Sequence, residues 1–463
     1  MTASRVLVAI MLILGLAIPA GAIAAPPRPD IGGPSPEGAP DFELPAVNLR
    51  IVLDRALGEH AFLVIETMRT SAEEGADFDA AAAVLEENTA EIEELASAVL
   101  SPSQAENFGE QWRNHVAYLV DYARAVAADD EDATQLAESQ LHTYSEEFSA
   151  LLQDAFPNLP EQAVEQLVGE HASQLQQVTD LAEGNYDAAY RAIRETYAHM
   201  FTIGDALTVG ILGRTRSAPE GRVVALSPAV DLRLTLDRLL GEHTYLAAIV
   251  MRAHVAGDAH GDAAIDALER NSTELANQVA AIYGDDAGKA FGDLWSRHTT
   301  LYVQYVDATA RGDDGEQDEA LAGLASYRSD FSAFLADANP HLDEVGLERL
   351  LEAHTDHLVE QVQAYAGEDY DHAYHMLRDA YAQTADLSAG LAGAIADQFP
   401  QRFPDTATPA DSRADSVSVP TAIGLLLLAA LAAIGVIGRT WRQRDSVGGL
   451  LSRVWVRLVR TFR

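Results

Sequence analysis

The chain contains no cysteine. Disulfides, thiol nucleophiles, thiolate metal sites, c-type haem attachment and lipoprotein anchoring are therefore excluded. Lysine is almost missing as well: Lys289 is the only one, against 30 arginines. Base of any kind is scarce, with 31 Lys and Arg facing 71 Asp and Glu for a formal charge of −40. Such an acidic chain is kept apart by repulsion and offers no basic patch for nucleic acid. Metal cations, other cationic ligands or basic proteins are the charge-compatible partners. No G-x-S-x-G, H-E-x-x-H, Walker sequence or paired E-x-x-H is present, so a non-enzymatic role is expected.

The two ends differ from the rest. Residues 1–25 read as a signal peptide: Arg5, a short apolar run from Val6 to Ile18, and small residues around Ala22 to Ala24. Residues 419–438 carry no charge and have about the 20-residue length of a membrane helix. The tail, residues 439–463, holds Arg439, Arg442, Arg444, Arg453, Arg457, Arg460 and Arg463 against Asp445 alone, which sets it on the cytoplasmic side. Its basic residues alternate with Leu, Val, Trp and Phe, a pattern open both to a stop-transfer flank and to a helix on the inner leaflet. The expected localisation is the cell membrane, single-pass, with the acidic region outside.

Between these ends the chain repeats itself. Residues 45–63 and 228–246 are identical at thirteen of nineteen positions at a constant shift of 183. Two modules are expected, 45–212 and 228–403, with Pro/Gly-rich or polar linkers at 26–44, 213–227 and 404–418. Apolar residues recur at spacings of 3 and 4, as in Leu49, Val52, Leu53, Leu57, His60, Leu63 and Val64. Breaks are predicted at Glu74-Gly75, Ser101-Pro102, Asp129-Asp130, Pro157 to Pro160 and Gly184-Asn185. No alternating strand pattern lies between them. The fold class is all-α: tandem antiparallel bundles of about six helices each, followed by one transmembrane helix.

The polar residues kept in both copies are the informative ones. They pair Glu59 with Glu242, His60 with His243, Asn88 with Asn271, His115 with His298 and His171 with His354. Each histidine of a triplet lies on the apolar stripe of a different helix, so the rings are expected to face a bundle interior. Three imidazoles with a carboxylate nearby suit Zn²⁺, Cu²⁺ or Fe²⁺, with Asn88 and Asn271 behind the ligands. Adjacent residues diverge by about 100° on a helix, so only one of Glu59 and His60 can face the site squarely. A buried hydrogen-bond network that binds nothing, and a small organic ligand, remain open alternatives. His199, His357, His372 and His375 lack counterparts and are expected at the surface. The last helix of each module sets Tyr186, Tyr190, Arg194 and Tyr197 against Tyr370, Tyr374, Arg378 and Tyr381. An arginine paired with a helix carboxylate, among tyrosines with wet hydroxyls, is the preferred reading there.

GEH-x-x-L, W-x-x-H with a tyrosine seven residues on, H-x-x-x-L and the DQFPQRF of residues 397–403 resemble a pattern in uncharacterised secreted or envelope-anchored helical proteins of bacteria. The resemblance implies an extracytoplasmic, all-helical protein and no particular activity. The first module lacks the QFP ending. The function expected is a membrane-anchored binding protein with a histidine-lined site in each module, or else a structural or adhesion spacer.

Overall fold

Every predicted break falls between helices in the computed structural model, which describes residues 44–182, 184–214 and 224–404. The first repeat forms α1 (Pro45–Ala72), α2 (Phe78–Val99), α3 (Pro102–Ala127), α4 (Glu131–Ala155), α5 (Glu161–Ala182) and α6 (Tyr186–Arg214). The second forms α7 (Pro228–Ala256), α8 (Gly261–Tyr283), α9 (Asp285–Arg311), α10 (Asp314–Ala338), α11 (Glu344–Ala366) and α12 (Tyr370–Gln398). No strand occurs among the described residues. Local chemistry starts and stops these helices. Pro102 opens α3 where its missing N–H is harmless, and Gln104 Oε1 accepts from the Ser101 N–H at 3.1 Å. Asp130 and Asp343 accept from Ala133 and Gly346 at 3.0 and 2.7 Å to cap α4 and α11. Gly257 and Gly312, at φ 72° and 66°, close α7 and α9 in the left-handed region.

The first helix of each repeat is its axis: α1 packs on α2, α3 and α6, and α7 on α8, α9 and α12. The repeats also pack into each other. Helix α1 meets α7, α2 meets α12, and α6 meets α8. One apolar cluster runs from Phe62, Leu63 and Val64 through Tyr197 to Tyr245, Leu246 and Tyr381. The Phe62 ring stacks on Tyr245 with centroids 4.3 Å apart. Helix α1 is consequently buried on several faces rather than on one stripe, and its charged residues find partners across the junction. Arg50 donates to Asp231 at 2.7 Å, Arg252 to Glu66 at 2.7 Å and Arg55 to the Tyr381 carbonyl at 2.9 Å.

The shared triplet Gly-Glu-His serves three directions at once, because consecutive residues point about 100° apart. Gly58 and Gly241 meet the tyrosines of the last helices, Glu59 and Glu242 meet an arginine of the other repeat, and His60 and His243 turn into their own repeat. A Cβ on Gly241 would lie 2.5 Å from Tyr381 Cε2 and 2.6 Å from Tyr197 Oη. Gly241→Ala is expected to lower stability by about 1–3 kcal/mol through overpacking. Gly169→Ala, with nothing within 4 Å of the added carbon, should be neutral or stabilising. Urea titrations of the two variants give the comparison, and equal midpoints would remove the packing account.

Part of the stretch read as an inter-module linker belongs to the core. Ala225 is fully buried, and its carbonyl accepts from Arg50 at 2.9 Å. The stretches read as a signal peptide, a membrane helix at 419–438 and a cytoplasmic tail, with most of the 26–44 and 404–418 linkers, lie outside the described residues. Among the described residues, no helix is long and apolar enough to cross a membrane.

Candidate metal centre

Helices α1, α3 and α5 bring His60, His115 and His171 together. Their ligand nitrogens all lie within 4.8 Å of one another, and all three residues are buried. His60 Nε2 and His115 Nε2 are 3.2 Å apart. Two nitrogens on one tetrahedral ion at about 2.0–2.1 Å stand roughly 3.3–3.4 Å from each other, so this pair already has the bite of a shared ion. Aromatic packing fixes the rings. Trp112 sits 4.6 Å from His60 between centroids, and Tyr144 stacks on His115 at 4.8 Å. Burial holds all three imidazoles neutral, pushing His115 down to about 4 and His60 and His171 well below their ordinary value. The neutral ring is the form that binds a metal.

These histidines are poorly served by hydrogen bonds. His171 is buried with neither ring nitrogen partnered. Interior polar atoms without partners are uncommon and costly. Asn88 Oδ1 is unpartnered too, and the Asn88 side chain is the one neighbour that favours the protonated His60 ring. A proton on His60 Nδ1 suits that oxygen and leaves the Nε2 lone pair toward the other two histidines.

Glu59 does not join the histidines. Arg378, on α12 of the other repeat, donates to Glu59 Oε1 and Oε2 at 3.0 and 3.1 Å, and Asn88 Nδ2 donates to Oε2 at 3.1 Å. Glu242 is held in the same way, by Arg194 of α6 at 2.9 and 3.0 Å and by Asn271 at 2.7 Å. Each candidate carboxylate ligand is thus neutralised by a fork-shaped pair, and it lies on the α-helical face turned away from the imidazoles. The tyrosine–arginine set has the expected arginine–carboxylate pairing, but its hydroxyls are not all wet. Tyr374 donates to Asp77 at 3.0 Å, Tyr190 bonds His260 at 2.8 Å and Tyr197 meets Tyr381 at 3.5 Å.

In the second repeat, His243 Nε2 and His298 Nε2 stand 3.3 Å apart. His354 is less buried than His171 and does not complete a three-histidine group of the same tightness among the described residues. It still lines the same cavity as the pair, about 60 Å³ in volume. His199 and His357 are half-buried rather than superficial, with His199 Nε2 bonded to the Leu167 carbonyl at 3.0 Å. His372 and His375 are about 41% exposed and pair with Glu360 and Glu87. The sequence reading missed that each arginine clamps a carboxylate of the other repeat. Its one signal was the matched Arg194 and Arg378, whose partner helices periodicity does not specify.

No family model, curated protein or solved structure matches the chain. The site therefore has to be interpreted from its own chemistry.

Proposed function

We propose that the chain is a transition-metal-binding protein, held at a membrane by residues 419–438, in which His60, His115 and His171 ligate the ion. The observation that carries this reading is His171: a buried imidazole with two unpartnered nitrogens, within ligand reach of two more imidazoles. A spacer whose buried polar groups serve only packing accounts for Glu59, Asn88 and Arg378, which satisfy one another. It leaves both ring nitrogens of His171 unexplained. The donor set narrows the metal. With Glu59 taken by Arg378, no carboxylate is at hand for a two-histidine, one-carboxylate iron site, so Zn²⁺ or a copper ion fits better than Fe²⁺. The apolar run at 419–438, the arginine-rich tail and the signal-like start support an external location, as does the resemblance to envelope-anchored helical proteins.

The purified chain is expected to retain Zn²⁺ or Cu²⁺ through dialysis and to melt at a higher temperature with the metal, by about 2.7 kcal/mol of added stability at one hundred times Kd. His115→Ala or His171→Ala should abolish that gain at the first site. Elemental analysis finding no metal, with melting unmoved by either ion, would refute the proposal.

A further inference from the structure

The two junctions between the repeats share one frame. Where α12 meets α2, Arg378 donates to Glu59 at 3.0 Å and to Glu91 at 2.9 Å. Where α6 meets α8, Arg194 donates to Glu242 and to Glu274, both at 2.9 Å. One position on each helix breaks the match. Glu87 of α2 accepts from Arg378 at 2.8 Å and pairs with His375 of α12 at 3.3 Å. The counterpart of Glu87 on α8 is Arg270, and that of His375 on α6 is Arg191. Two guanidinium groups thus occupy the places where the other junction has a carboxylate and its partner.

The exchange leaves positive charge unanswered in a chain of formal charge −40. Arg191, Arg194 and Arg270 share this junction with Glu242 and Glu274, and Arg194 already holds both carboxylates. Arg270 is half-buried, and its Nε and Nη2 are buried without a hydrogen-bond partner. An enclosed guanidinium N–H lacking an acceptor is costly, and a like charge nearby adds to that cost. Glu274, one turn along α8, keeps 45% of its side-chain surface exposed, and Arg191 is exposed. Side chains of that kind change rotamer within nanoseconds, so Arg270 can be reached from solvent. A planar fork with free donors beside a second arginine is suited to an oxyanion, whose oxygens accept several N–H bonds at once.

We propose that Arg191 and Arg270 form a binding site for a small oxyanion, a phosphate or a carboxylate group, at the junction of α6 and α8. The site is separate from the histidines and needs no metal. Its test uses the full chain dialysed free of metal and melted in phosphate, acetate or chloride at equal ionic strength. Phosphate or acetate is expected to raise the melting temperature saturably above that in chloride, and the more effective of the two identifies the group bound. Arg270→Glu, which restores the carboxylate that the other junction has in Glu87, should raise the melting temperature in chloride and abolish the oxyanion response. Arg270→Gln should abolish the response too, and carries the test if the charge reversal misfolds by helical circular dichroism. Arg191→Gln should weaken binding about tenfold, the worth of one charged hydrogen bond. No response beyond chloride, or a response unchanged when Arg270 is replaced, overturns the inference and leaves the metal-binding proposal untouched.

Discussion

Arg378→Ala is expected to destabilise the protein by about 3–5 kcal/mol, the range for stripping one partner from a buried ion pair. Glu59 keeps only 8% of its side-chain surface exposed and would be left with Asn88 as its single hydrogen-bond donor. Arg378 also holds Glu87 and Glu91 at 2.8 and 2.9 Å, so its loss sets three carboxylates against one another. The effect should appear as a lower urea midpoint. Because the arginine and the glutamate belong to different repeats, the denaturant slope should also reveal whether the halves still unfold together. Glu59→Gln combined with Arg378→Met should recover much of the loss, since the most buried unpaired charge is then gone and only the more exposed Glu87 and Glu91 keep theirs. A change below about 1 kcal/mol for Arg378→Ala would place this pair with ordinary surface ion pairs and remove the account of how the repeats are joined.

Acid should unfold the metal-free protein above pH 4. His115 and His354 are pushed down to about 4 and His298 to about 3, and His60, His171 and His243 also fall well below the ordinary value, all chiefly through burial. The unfolded chain takes up these protons near pH 6.5 while the folded one refuses them. The stabilisation is therefore complete above pH 6.5 and is lost as pH falls through the window between that value and the folded ones. Each ring removes about 1.4 kcal/mol per tenfold rise in proton concentration. Together they overrun a net stability of roughly 5–15 kcal/mol within two such steps. Asp54 works the other way. Burial raises its carboxyl well above the usual range and lifts those of Glu91 and Asp386 too, so the native state keeps these protons and gains at low pH, but they are three carboxyls against six histidines. Bound Zn²⁺ or Cu²⁺ competes with protons for the imidazoles, so metal should move the acid midpoint downward. Circular dichroism against pH, with and without metal, measures both effects. A metal-free midpoint below pH 4 would contradict the buried, neutral histidines.

The helices were legible because their punctuation is local. Ser101-Pro102, Asp129-Asp130 and the Pro157 to Pro160 stretch cap or interrupt a helix whatever surrounds it. The histidines were legible as inward-facing because each sits on a 3–4 apolar stripe, and His60, His115 and His171 do converge. Glu59 was harder. An acidic residue beside a histidine has the look of a ligand, and nothing within the first repeat indicates that Arg378, 319 positions away, will claim it.

Composition and periodicity alone settle that this is an acidic, cysteine-free, duplicated all-helical chain, because capping and apolar spacing act over a few residues. The pairing of repeats, the loss of Glu59 and Glu242 as ligands, and the cavity beside His243 were decided by tertiary packing. Those outcomes depend on which helix faces come into contact, and contacts between residues hundreds of positions apart leave no local pattern in the chain.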